Sequence, residues 1–415
     1  MQARRSECAC PTARPGQSPS TTSFRLYFKA MNAPIYLDHA ATTPVRPEVF
    51  EVMRPFLGPR FGNPSSTHRW GREARAALDE ARERVARCLG AHPDEICFTS
   101  GGTEGDNLAI LGGWRVLKPL GRTAVVTSPI EHKAVLQSIH QAAHEGAEER
   151  LLAIDATGTV TMDSARALVR TDTAICAVMW VNNEIGTIQP IAELATLAKS
   201  VGAIFHTDAV QAFGKVEIDA KKIPFDFLAI SGHKIGAPKG IGAMFIRRGT
   251  ALEPLFFGGS QDRGRRPGTE NVAYAVALAT AAEMTLAEHK LESARLTVLR
   301  DRLEAAILAR IPDAVIHGRG AKRAPHVLSV SIPGTDSESM LMALDLKGIA
   351  CSGGSACQSG SVAASHVISA LGVSADVASA TIRMSLGSLT TDACIERVAE
   401  VFPALALKAR GLAAV

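Results

Sequence analysis

From about residue 33 onward, short apolar runs alternate with longer amphipathic stretches. Residues 95–99, 123–127, 174–181, 203–207, 226–230 and 241–246 are aliphatic or β-branched and mostly bounded by Gly, Pro, Ser or Asp, the pattern of buried strands. Stretches of helical period lie between most of them, at 104–117, 131–144, 163–169 and 190–201. Ahead of them 72–89 (REARAALDEARERVARCL) carries its charges on one face. Strand and helix in alternation predict an α/β fold whose parallel sheet is covered on both faces. In the run 226–246, two strands are joined by a Gly/Pro segment too short for a crossover helix. One of them is therefore expected to run antiparallel. Past about residue 272 the pattern changes. A long helical stretch (272–310) leads to VLSVSI (327–332), a helix (337–346), a Ser/Gly-rich loop (352–361), a helix (365–371), TIRMSL (381–386) and a final helix. This part reads as a smaller α+β domain.

Composition narrows the class. The 415 residues are 46% hydrophobic and 21% charged, which suits a soluble globular chain long enough for two domains. Net charge is +4, too near balance to argue for nucleic acid or an anionic membrane. No apolar run approaches the length of about eighteen residues that a membrane span requires. Residues 1–30 are rich in Ser, Thr, Pro and Arg, with five basic residues against Glu7 alone, and lack the apolar centre of a secretory signal. They fit an organelle transit peptide or a disordered extension upstream of a start at Met31. The second is preferred, because so polar a tail has no core to join, and a cytoplasmic location is expected. Eight cysteines are present, at 8, 10, 88, 97, 176, 351, 357 and 394. No paired CxxC motifs occur, so a structural zinc site is not expected and the thiols are read as reduced.

The polar clusters fall where the apolar runs end, which in a parallel α/β sheet is where ligands bind. SGGTEGDN (100–107) follows ICFT and opens a helix, so Gly101, Gly102 and Thr103 offer backbone N–H groups and a hydroxyl to a phosphate, or simply cap the helix. His132 follows AVVTSP and either stacks on a flat ring and shuttles protons or is a satisfied structural histidine. Asn183 follows AICAVMW as a donor to a phenolic oxygen. Asp208 and Gln211 follow AIF, where an acid caps a strand or holds a ring nitrogen protonated. Ser231, His233 and Lys234 follow the last parallel run. Lys234 is either a solvated strand-end charge or a buried amine that loses its proton readily and attacks aldehydes. A phosphate cradle, a stacking imidazole, an acid, an amide and a reactive lysine on separate strand ends are together the parts of a pyridoxal phosphate site.

LDHAATTP (37–44), FGNPSSTH (61–68), FTSGGTEGDN (98–107), EHKAV (131–135), VNNEIG (181–186), HTDAVQ (206–211), SGHKIGAPKGIGA (231–243), GTEN (268–271) and SGGSAC (352–357) occur in the order in which the cysteine desulfurases of the NifS/IscS type carry such motifs. From about residue 34 to about 400 the chain resembles that family. The resemblance implies a fold-type I pyridoxal-phosphate transferase. It implies a large domain with a mostly parallel seven-stranded sheet (46–288), a small α+β domain (33–45 and 289–415), an extension at 1–32 outside both, and a homodimer. It makes Lys234 the Schiff-base lysine, places His132 on the ring, and sets Asp208 against the pyridinium nitrogen, with Asn183 and Gln211 on the phenolate side. Gly102, Thr103, Ser231 and His233 are implied as phosphate ligands, and Thr269 as a residue reaching the partner subunit's phosphate. Arg383, in TIRMSLG, is implied as the clamp on the substrate carboxylate, a role that suits a guanidinium fork.

The same resemblance makes Cys357 the thiol that takes sulfur from L-cysteine as a persulfide, leaving L-alanine. It lies in a loop of Gly and Ser with little apolar anchoring, unlike Cys176, which sits in an apolar run. Iron–sulfur scaffold or sulfur-carrier proteins are the implied acceptors, for general or nitrogenase cluster assembly or tRNA thiolation. No resident metal is expected, and Cys357 would meet a nascent iron–sulfur cluster only through its persulfide. Gly353 stands where the family commonly has Ser, VAASH (362–366) lacks the usual acidic and Pro residues, and Ala237 departs as well, which leaves the docking acceptor open. Cys351 is a buried thiol or a resolving partner for Cys357. The rival readings are a selenocysteine lyase and a non-catalytic assembly scaffold.

Overall fold

The computed structural model describes residues 34–353 and 365–411. The strands in chain order are β1 (Ile35–Tyr36), β2 (Ile96–Thr99), β3 (Ala124–Thr127), β4 (Glu148–Leu151), β5 (Thr173–Ala177), β6 (Ile204–Asp208), β7 (Phe227–Ser231), β8 (Gly242–Ile246), β9 (Val315–Ile316), β10 (Val327–Ser331), β11 (Ile349–Ala350) and β12 (Thr381–Ser385). The helices are α1 (Pro47–Met53), α2 (Arg69–Leu89), α3 (Gly102–Leu117), α4 (Lys133–His144), α5 (Met162–Leu168), α6 (Ile191–Ser200), α7 (Val272–Arg310), α8 (Ser337–Asp345), α9 (His366–Ala370), α10 (Ala375–Ser379) and α11 (Asp392–Ala409).

Seven strands form one sheet in the order β2-β8-β7-β6-β5-β3-β4. All neighbours are parallel except at β8, which runs antiparallel to both β7 and β2. The short connection after β7 thus reverses the chain, as its length requires. Every residue of β2, β3, β5, β6, β7 and β8 is buried, the signature of strands covered on both faces. The edge strand β4 reads EERL and buries only Arg150, so no apolar pattern announces it. Arg150 forks onto Glu148 and Asp172, at 2.7 Å and 2.6 Å. The stretch 174–181 is a shorter strand than its apolar run suggests. Beyond Ala177 the backbone leaves the ladder but still donates from Val178 and Trp180 to the carbonyls of His206 and Asp208.

The register sets the positions of the strand ends. Ala177 pairs with His206, Asp208 with Ala229, and both Thr99 and Ser231 lie opposite Gly242. The carboxyl ends of β2, β3, β5, β6 and β7 therefore open on one edge. A three-stranded sheet (β12-β10-β9) and the β1–β11 pair belong to a second core, built on Leu296, Leu299, Leu303, Leu328, Ile382 and Phe402. Helix α7 serves both cores. Its first half packs Ala275 to Ala282 with the large sheet, and its second half packs Leu296 to Ile307 in the smaller core. It starts at Asn271, whose side chain accepts from the Tyr274 amide at 3.1 Å. Asp38 bridges to Ser385 on β12, which carries residues 38–43 across to the carboxyl edge of the large sheet. Among the described residues no helix is long and apolar enough to cross a membrane.

Candidate active site

A cavity of about 320 Å³ opens at that edge. It is lined by Gly102, Thr103, His132, Asn183, Asp208, Gln211, Ser231, His233, Lys234 and Arg383, which come from six separate chain segments. Thr269 is exposed and is not among the lining residues. Cys357 lies outside the described residues.

Lys234 follows β7 in a single 3₁₀ turn, Gly232–Lys234. Its Nζ donates to the carbonyls of Ala40 and Ala41, at 2.5 Å and 2.8 Å. The segment after β1 thus supplies the acceptors that hold the amine at the mouth of the sheet. That segment also fixes His233, whose Nδ1 lies 3.1 Å from Thr42 Oγ1 and whose carbonyl accepts from Thr43. Burial and the neighbouring Lys234 and Lys239 lower the His233 pKa to about 4, so its ring is neutral at neutral pH.

Beside Ser231 lies the start of α3. A Cβ added at Gly102 would stand 2.6 Å from Val210 Cγ2, so only glycine fits the close approach between α3 and the β6 loop. The first amides of this sixteen-residue helix face the cavity with the positive end of its dipole, and the Thr103 hydroxyl is exposed beside them. A phosphate group fits there. Ser231 and His233 close the other side.

Asp208 ends β6 with 5% exposure. Its Oδ1 accepts from the Val210 amide at 2.8 Å. Burial, and then Asp106, raise its pKa to about 7. A raised carboxyl means that the folded protein binds this proton more tightly than the unfolded chain does. The resulting stability is complete below the ordinary value of 3.8 and is lost as pH rises through about 7. The ligand-free protein is expected to lose on the order of 2–4 kcal/mol from this group across that window. Asp208→Asn should flatten the decline of melting temperature between those pH values, as read by calorimetry. An unchanged slope would exclude Asp208 as its source.

His132 caps α4, with Nδ1 accepting from the Ala134 amide at 3.1 Å. Burial, opposed by Asp208 and assisted by Lys234, lowers its pKa, so its ring is neutral and apolar enough to lie against an aromatic group. Gln211 donates from Nε2 to the Ala40 carbonyl at 2.9 Å, and its Oε1 lies 3.1 Å from His326 Nε2. Asn183 lines the cavity, while the preceding Asn182 is buried and donates to the Ile130 carbonyl. Arg383, only 2% exposed on β12, donates from Nη1 to the Asn183 carbonyl and from Nη2 to Asp38 Oδ1, both at 2.9 Å. Its Nε has no partner among the described residues. A guanidinium held at two nitrogens, with a third unsatisfied, can still take an anionic oxygen.

Asp38, Asp106, Glu131, Glu184 and His366 were not singled out from the sequence. Asp106 carried a usable signal, since it lies four residues after Gly102 and so on the same face of α3. Glu131 is fully buried and accepts from Ser128 Oγ at 2.5 Å and from the Met179 amide at 2.8 Å. Burial holds its carboxyl well above the usual range. Glu184 is joined to Ser365 by a 2.5 Å hydrogen bond across 181 residues, a contact no local pattern reveals.

Residues 35–398 match the family described as aminotransferase class-V. A relative from Dictyoglomus turgidum named cysteine desulfurase IscS is 45% identical over 361 residues, covering 87% of this chain and 91% of the relative. A solved structure titled NifS-like protein superposes with a TM-score of 0.84 at 33% identity, over 90% of this chain and 99% of that one. Another, titled SspA in complex with cysteine, gives a TM-score of 0.74 at 33% identity, over 85% and 98% of the two chains.

Proposed function

Because the chain belongs to the aminotransferase class-V family, whose members depend on pyridoxal phosphate, we propose that it is a cysteine desulfurase. In this reading it removes sulfur from L-cysteine, leaves L-alanine, and passes the sulfur on from Cys357. The observation that carries this is the convergence of Lys234, Asp208, His132 and Arg383 on one cavity.

The donor set fits the cofactor. The glycine-limited start of α3 with Ser231 and His233 would hold the phosphate. Asp208 would pair with the ring nitrogen, His132 would lie on the ring face, and Asn183 and Gln211 would stand on the phenolic side. Lys234 would hold the group covalently. When bound, the cofactor supplies an electron sink for the carbanion formed at the substrate's α-carbon. Lys234 Nζ would take the α-proton, and the carbonyls of Ala40 and Ala41, to which it donates, would hold it within the site. Neutral His132 is positioned to accept or return a proton nearby. Arg383 orients the substrate by its carboxylate, with Asp38 and the Asn183 carbonyl fixing the guanidinium plane. Cys357 Sγ, as thiolate, attacks the substrate sulfur. The S–S bond forms as the C–S bond breaks, and its electron pair returns to the carbon framework, which is reprotonated to alanine.

We further propose a homodimer in which Thr269 reaches the partner's phosphate site, which suits its exposed position away from this chain's own cavity. We propose a large domain at 46–288 and a small one at 33–45 and 289–415. Iron–sulfur scaffold or sulfur-carrier proteins would be the acceptors, with the chain at work in the cytoplasm.

The test is turnover. Protein supplied with pyridoxal phosphate, L-cysteine and a thiol reductant should release sulfide and alanine in equal amounts. Absence of both would refute the assignment. Arg383→Lys, which keeps the charge but loses the fork, should raise KM for cysteine by about tenfold to a hundredfold with a smaller change in kcat. An unchanged KM would remove Arg383 from substrate binding.

A further inference from the structure

Asp106 is 1% exposed on α3 and is not among the groups assigned above to the cofactor or to the substrate. It faces β6, where His206 and Asp208 lie two residues apart and hence on one face of the strand. Its Oδ1 is 3.0 Å from His206 Nε2. One carboxylate oxygen each from Asp106 and Asp208 and a ring nitrogen of His132 lie within 4.8 Å of one another. The other titratable groups around them are Glu131 and Lys133 at the start of α4, His366 on α9, and Lys234, whose amine is held at the Ala40 and Ala41 carbonyls.

Two carboxylates this close and this buried cannot both stay ionised, so the pair holds a proton. The surroundings say which acid holds it. Asp208 accepts a backbone N–H from Val210 and lies beside His132, both of which favour its charge. Among the described residues Asp106 is hydrogen-bonded to the imidazole of His206, which burial keeps neutral with a pKa near 4, and its own carboxyl is pushed far upward by burial.

We propose that Asp106 is a positioning residue: it is held as a neutral carboxylic acid joined to His206, so that the floor of the site presents the single negative charge of Asp208 to the cofactor's ring nitrogen. This rests on the pyridoxal phosphate reading for its purpose but not for its geometry. A second full charge would overmatch one ring N–H, and an apolar residue would leave His206 Nε2 unsatisfied.

Infrared difference spectra of wild type minus Asp106→Asn, taken on both the ligand-free and the cofactor-loaded protein at neutral pH, test it. A carboxylic-acid carbonyl band belonging to Asp106 is expected in both forms. Its absence from the ligand-free protein overturns the proposal, whatever the cofactor does. In the loaded protein, the pH midpoint of cofactor dissociation should stay in place in Asp106→Asn, which is uncharged like the acid, and should move in Asp106→Leu, which cannot bond His206. A midpoint that falls by a unit or more in Asp106→Asn would mean that Asp106 is ionised, and would also overturn it. Failure to take up pyridoxal phosphate at all would instead refute the functional assignment and leave the infrared result standing.

Discussion

Lys234→Ala, incubated with pyridoxal phosphate and then desalted, is expected to remain colourless and to release sulfide from L-cysteine at least about 10³-fold more slowly than wild type. The lysine is assigned two roles, covalent anchor for the cofactor and carrier of the α-proton, and alanine can serve neither. Folding should survive. Two of the amine's contacts are to backbone carbonyls that line an open cavity, where water can replace it. Circular dichroism and melting temperature near the wild-type values would establish that loss of colour is chemical and not structural. Undiminished turnover by this variant would refute the site assignment as a whole.

Cys357→Ala is expected to separate the cofactor from the sulfur. The variant should bind pyridoxal phosphate with a wild-type visible spectrum, yet form no protein persulfide and release sulfide at less than about one-thousandth of the normal rate. Four cysteines within the fold offer no substitute. Burial raises the Cys351 thiol to about 12 and the Cys88 thiol to about 11, and holds those of Cys97 and Cys176 high as well, so each is a protonated, poor nucleophile at neutral pH. The check is persulfide labelling with mass spectrometry alongside a sulfide assay. Persulfide on Cys351 in the variant would move the nucleophile to that residue and overturn the role given to Cys357.

Much of this was legible in the chain. Strands β2, β3, β5, β7 and β8 are largely apolar because helices cover both faces of the sheet, and a doubly covered strand has no polar side to blur its signal. Residues 272–310 read as one helix and form one. Strand β4 was missed for the opposite reason. At the edge of the sheet it is half solvated, and its one buried residue is an arginine satisfied by Glu148 and Asp172, so it looks like a charged loop. The cavity-lining residues at the ends of the large sheet's strands were found because each follows an apolar run, and a parallel sheet collects such positions at one edge, whereas Arg383, inside β12, came from the family resemblance.

The supporting partners had no such mark. Asp38 fixes Arg383 from 345 residues away, Ser365 meets Glu184, and the Ala40 and Ala41 carbonyls receive Lys234 through a crossing of the chain that only the bridge to β12 explains. These are contacts between segments that are independent in sequence. What the sequence alone determined was which chemistry is present: an amine, an acid, an imidazole, a guanidinium and a thiol. What the tertiary structure decided was their state. Burial keeps the His233 and His132 rings neutral and raises Asp208 to about 7. It also brings Asp106 close enough to Asp208 that the two acids must share their charge. Desolvation and mutual distance set protonation, and neither exists until the chain has folded.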